Sequence, residues 1–250
     1  MTTNKAQAVF LILLSSVIGC GRADAVPSND AGSMTTPSLT AIVVDRSTSR
    51  RPAELAQDRQ LLESIIADLN FGDRILIQEV HHDGRGDGAP RWWTDMPRLS
   101  ESGRGTPVDS QSLSRARKAA GSAAEEVFEN SRPNRTDLMS NLFDVADLVH
   151  RGRFQRWRII MLSDMLQSTN DLNMEAREGI PQPGWIAERK QHDLLPHLTG
   201  ACIVVIGADR STPRGDAVFN FWQEYFRAAG TDLVASNYLY TVFDGRELEC

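Results

Sequence analysis

Leu39-Thr40-Ala41-Ile42-Val43-Val44-Asp45-Arg46-Ser47-Thr48-Ser49-Arg50 reads LTAIVVDRSTSR. Its first half is a continuous apolar, β-branched run, as expected of a strand covered on both faces, and such strands belong to parallel sheets flanked by helices. Its second half is abruptly polar and places a carboxylate and two hydroxyls at alternating positions, Asp45, Ser47 and Ser49. A near copy, GADRSTPR at Gly207 to Arg214, follows a second apolar run, Ala201 to Ile206. That echo has Pro213 where the first copy has Ser49, so it lacks one oxygen. The segments around the two copies do not otherwise match, which argues against an internal repeat. The second copy is expected to be a turn in which Asp209 or Ser211 caps the helix leading to Phe219.

Outward from the first stretch, strands and helices alternate. Pro52 suits a first helical turn, and Leu55, Leu62, Ile66 and Leu69 follow at helical spacing. Residues 73–80 form the next strand. Residues 81–110 are polar and glycine-rich, with an edge strand expected around Trp92 to Thr94. A helix is expected over 112–129, and beyond Pro133 another carries Leu138, Leu142, Val145 and Val149. Residues 157–162 read as a strand ending at Ser163-Asp164, followed by a long polar excursion broken by Pro181 and Pro183. Then come the strand 201–206, a helix over 219–229 and a last strand over 238–243. The fold class is therefore α/β, a doubly wound, mostly parallel sheet flanked by helices. Ligands of such sheets bind beyond the carboxyl ends of the strands, so the residues just after each apolar run are the ones to inspect.

Three such positions line up: Asp45, Ser47 and Ser49 after the first strand, Thr136 at a helix start, and Asp164 after the strand over 157–162. Alternate residues of an extended turn project to one side, so three oxygens can meet one point. Hard divalent cations take oxygen ligands of this kind, and keep several waters. In order and context the five residues resemble the metal-ion-dependent adhesion site of the von Willebrand factor A family, over roughly residues 38–245. That family carries Asp-x-Ser-x-Ser on one loop, Thr on a second and Asp on a third. The resemblance implies that the Ser47 and Ser49 hydroxyls bind the ion directly and that Thr136 does so when a ligand is present. Asp45 and Asp164 then act largely through waters. The ion, Mg²⁺ first and Mn²⁺ second, keeps a coordination position for a Glu or Asp carboxylate of a protein partner. Met165 stands after Asp164 where the family has Gly.

The ends and the overall charge set the expected context. Residues 1–19 hold one lysine and an apolar run too short to span a bilayer, and Val17-Ile18-Gly19-Cys20 resembles the lipobox of bacterial lipoproteins. Cys20 would then carry acyl chains that hold an exported protein to the cell envelope, the outer membrane where there are two membranes. A secretory signal cleaved after Ala23 or Ala25 is the alternative. Residues 20–37 are small, polar and Pro/Gly-containing, as in a flexible tether to a domain over 38–250. Of the remaining cysteines, Cys202 and Cys250 are candidates to pair in an oxidising compartment, and Cys202 alone would be a buried thiol. Loss of residues 1–19 removes Lys5 and no acid, so the formal charge moves from −6 to −7. Such acidity disfavours a nucleic-acid partner.

No Ser-His-Asp or Cys-His arrangement is visible, and Ser47 stands where aspartate-nucleophile phosphatases need their second carboxylate. A non-enzymatic, envelope-anchored binding module is the leading expectation. A structural lipoprotein subunit with a degenerate site and a metal-dependent hydrolase are the alternatives.

Overall fold

The computed structural model describes residues 38–80, 91–99, 105–129, 135–152, 154, 156–176 and 179–242. By compactness the chain divides into Met1–Ser33 and Met34–Cys250, and every described residue belongs to the second unit. Six strands form one sheet: β1 (Ser38–Val44), β2 (Arg74–Glu79), β3 (Arg91–Asp95), β4 (Arg156–Leu162), β5 (Ala201–Ile206) and β6 (Tyr238–Leu239). Their order is β3-β2-β1-β4-β5-β6. All pairings are parallel except β2 with β3, which is antiparallel. Among the described residues five α-helices connect them: α1 (Pro52–Asp68), α2 (Pro107–Glu129), α3 (Leu138–Gly152), α4 (Trp185–Gln191) and α5 (Pro213–Ala228).

The strand period of two explains the layering. Leu39, Ala41 and Val43 of β1 face a core built with α3, α4 and α5, while Ile42 and Val44 face a second core built with α1 and α2. Both faces of β1 are thus covered, as the apolar run predicts. The α5 helix buries a broad face: Phe219, Phe221, Trp222, Tyr225 and Phe226 are all shielded from solvent, while Asn220, Glu224 and Arg227 are exposed. At the sheet edge Trp92 packs inward while Trp93 is 51% exposed beneath the Arg74 guanidinium, 5.1 Å from its ring.

Several boundaries differ from expectation. The α2 helix begins at Pro107 and α5 at Pro213, because a proline at the first helical position is favourable and extends each element N-terminally. The polar excursion after β4 contains α4, whose single buried residue, Ile186, leaves little periodic signal. The last strand is two residues long and pairs only with Val205 and Ile206. The cap of α5 is neither Asp209 nor Ser211 but Thr212, whose hydroxyl accepts from the Gly215 N–H at 3.0 Å. Asp209 accepts instead from the N–H and hydroxyl of Ser211, two residues on. No described helix is long and apolar enough to cross a membrane.

Candidate metal centre

The strand order reverses between β1 and β4: β1 leads to β2 on one side and β4 to β5 on the other. At such a switch point the two departing loops diverge and leave a crevice beyond the strand ends. Asp45 directly follows β1, and Asp164 lies two residues after β4. Their loops are joined at the root, where the Asp45 N–H donates to the Leu162 carbonyl at 2.9 Å.

The side chains form a continuous hydrogen-bonded run across the crevice. Asp45 Oδ2 accepts from Ser163 Oγ at 2.7 Å and Asp45 Oδ1 from the Ser47 N–H at 2.9 Å. The Ser47 and Ser49 hydroxyls share a hydrogen bond of 2.8 Å, and Ser49 Oγ donates to Asp164 Oδ2 at 2.8 Å. Asp164 Oδ1 in turn accepts from the Leu166 N–H at 3.0 Å. Four of the five expected residues are therefore drawn together. Asp45 and Ser47 are buried, Ser49 is exposed and Asp164 is half-buried, so the run opens from the interior to solvent.

Thr136 enters through its backbone. Its N–H donates to the Ser168 carbonyl at 3.2 Å and its carbonyl accepts from the Ser168 N–H at 2.7 Å, which pins it to the loop that carries Asp164. The Thr136 hydroxyl is fully buried and has no hydrogen-bond partner. An orphaned buried hydroxyl is costly, about 1–3 kcal/mol, and calls for an occupant that satisfies it.

Electrostatics point the same way. Desolvation, reinforced by the nearby Asp45 charge, pushes Asp164 up to about 6 against the pull of the Leu166 N–H, Ser49 and Arg50. Two carboxylates and three hydroxyls make an all-oxygen donor set, suited to a hard divalent cation. Among the described residues no group of three His, Cys, Asp or Glu side chains is placed to hold a metal.

Sequence reasoning missed the supporting residues. Ser163 bridges Asp45 and the Met165 N–H, and its place at a strand end was the only available signal. Gln167 had none: its Oε1 accepts from the Leu138 and Met139 N–H groups, and its Nε2 donates to Asp137. It thereby fastens the start of α3 to the Asp164 loop. Met165 adopts φ 65°, the left-handed region that Gly occupies without strain. Its side chain is buried, and its carbonyl accepts from Trp222 Nε1 at 2.8 Å, which holds the backbone in place. Of the cysteines, Cys202 is disulfide-bonded, while Cys20 and Cys250 lie outside the described residues, as does the lipobox.

No family model matches the sequence, and no curated protein matches it. Solved structures that resemble the fold include the N-terminal domain of TFIIH p34, at 15% identity and a TM-score of 0.35, covering 80% of this chain and 92% of that one. Another comprises three N-terminal domains of the type V pili tip protein Mfa5 from Porphyromonas gingivalis, at 14% identity and a TM-score of 0.33, covering 71% of this chain and 29% of that one. Likeness at this level says nothing of function. The fold itself is fixed by strand order and layering: a doubly wound α/β domain with a polar crevice at its switch point.

Proposed function

We propose that this chain is a von Willebrand factor A-like binding module, non-enzymatic and anchored to the cell envelope through Cys20, that grips a protein partner through a divalent cation. The observation that carries the reading is the hydrogen-bonded run from Asp45 through Ser47 and Ser49 to Asp164, together with the orphaned hydroxyl of Thr136, whose backbone is bridged to Ser168 of the Asp164 loop. Ser47, Ser49 and Thr136 would hold Mg²⁺ or Mn²⁺ by their hydroxyls, with Asp45 and Asp164 placed to accept from its waters. When bound, the ion supplies an electrophilic centre with a coordination position for a partner's Glu or Asp carboxylate. The protein's own part is to hold the oxygens. Ser163 fixes the Asp45 carboxylate, the Leu166 N–H fixes that of Asp164, and the bridge to Ser168 fixes Thr136.

The test is a calorimetric titration of the full chain with Mg²⁺ and with Mn²⁺. Saturable one-to-one binding is expected, weakened about tenfold or more in Asp45→Ala and Thr136→Ala. Binding that is equally tight in both variants, or absent from the natural sequence, overturns the proposal.

A further inference from the structure

Two arginines flank the serines of the first loop, and both point inward. Arg46 is 1% and Arg50 2% exposed. Each meets a buried carboxylate from a different element: Arg46 Nη2 lies 2.5 Å from Glu79 Oε1 at the end of β2, and Arg50 Nη2 lies 2.7 Å from Asp58 Oδ2 in α1. Arg46 also donates to the Phe128 carbonyl at the end of α2, which gives it an anchoring task.

Arg50 is placed differently. Its backbone N–H closes the turn on the Ser47 carbonyl at 3.1 Å, so it is the residue that ends the loop carrying both hydroxyls. Its guanidinium is wedged against Gly207 at the end of β5. A Cβ on Gly207 would come within 2.8–2.9 Å of three guanidinium atoms, and Gly207 sits at φ 104°, so the position is kept clear for Arg50. The Arg50 charge reaches Asp164 and holds its carboxyl down, while the Asp45 charge reaches Asp58 and pushes that carboxyl up. Asp45, Asp58 and Asp164 therefore share one electrostatic neighbourhood, with the Arg50 charge in it.

We propose that the Arg50–Asp58 pair sets the affinity of the crevice for its cation: Arg50 is a resident counter-charge for Asp45 and Asp164, and Asp58 decides how much of that charge the crevice feels. The inference rests on the metal-binding reading above. Its physical basis is that charges in a partly desolvated site interact far more strongly than in water. Arg50 lies too deep, and is tied too firmly to Asp58, to swing out of the way of an arriving ion. It offsets part of the carboxylate field, which stabilises the ion-free crevice and keeps the cation exchangeable. Arg50 is a positioning and affinity-setting residue and does not ligate.

The two halves of the pair can be separated by the sign of their effect. At pH 8, Arg50→Gln removes the counter-charge, and Mn²⁺ is expected to bind about threefold to tenfold more tightly. Asp58→Asn leaves the Arg50 charge with the more distant Glu54 carboxylate, 3.7 Å from Arg50 Nε, and Mn²⁺ is expected to bind about threefold to tenfold more weakly. The double variant Arg50→Gln/Asp58→Asn, a neutral pair of similar shape, is expected to lie near the natural sequence and guards against a folding defect in either single variant. If the pair merely braced the loop, both single variants would weaken binding together, and that result overturns the inference while leaving the metal reading standing. A natural sequence that binds neither Mn²⁺ nor Mg²⁺ overturns both.

Discussion

At the scale of single residues, Met165 shows how the chain tolerates a strained backbone beside the crevice. The turn after Asp164 needs a left-handed backbone, and a side chain there costs about 1–2 kcal/mol. The chain tolerates that cost because the Met165 side chain is fully buried in the core with α5, and Trp222 Nε1 holds its carbonyl. The two contributions can be separated by substitution. Met165→Ala loses most of the buried side chain and keeps the strain, so it should cost about 2–5 kcal/mol. Met165→Gly loses the side chain too but relieves the strain. Elsewhere Gly is the worse of the pair by about 0.5–1 kcal/mol, whereas at Met165 it should be the better. Urea unfolding of the two variants reads the order directly, and an Ala variant as stable as the Gly variant would refute the strain argument.

At the scale of elements, α1 is tied to the crevice by charge. Asp58 is a buried carboxylate on an otherwise apolar face with Leu61, Leu62, Ile65 and Ile66. Burial pushes it up to about 7 from its ordinary value of 3.8, with Asp45 and Glu54 adding to the rise and Arg50 opposing it. Because the folded form holds the proton more tightly than the unfolded chain, this group's contribution is fully present below about pH 4. It is lost as pH rises through about 7. The natural sequence, in the absence of divalent ions, should thus lose stability relative to Asp58→Asn between about pH 4 and about pH 7. Chemical denaturation at several pH values checks this, and a constant difference between the two proteins would sink it. The same helix shows what sequence pattern could and could not convey. The apolar spacing and Pro52 placed α1, and the buried runs placed β1, β4 and β5, because period and hydrophobicity are local properties. The Arg50–Asp58 and Arg46–Glu79 pairs were invisible, since buried charges look like solvated ones until their partners across the fold are known. The short α4 and the two-residue β6 were illegible for the opposite reason: each buries too little to leave a period.

For the whole molecule, the strand-end positions of Asp45 and Asp164 were legible because topology converts sequence order into position. Asp45 and Asp164 are 119 residues apart, yet each falls at the end of a central strand, and strand ends on either side of the switch point are neighbours. What the topology leaves behind is a cluster of like charges and, at the start of α3, an unsatisfied Thr136 hydroxyl. A cation that binds only the folded state would satisfy both and draw the folding equilibrium toward it. At a concentration 100-fold above its Kd, such an ion stabilises by about 2.7 kcal/mol. For a domain of this size each kcal/mol raises the melting temperature by about 2–4 °C. Saturating Mg²⁺ or Mn²⁺ should therefore raise Tm by about 5–10 °C over the same protein in EDTA, and the shift should grow with the logarithm of ion concentration. Thr136→Val keeps the shape of the side chain and removes its oxygen. It should raise the stability of the ion-free protein by relieving the orphaned hydroxyl, while shrinking the ion-dependent shift. A differential scanning measurement of both proteins, with and without ion, separates the two effects. If Thr136→Val left the ion-dependent shift intact, the hydroxyl would have no part in holding the ion, and the crevice would have to work through the Asp45 and Asp164 loops alone.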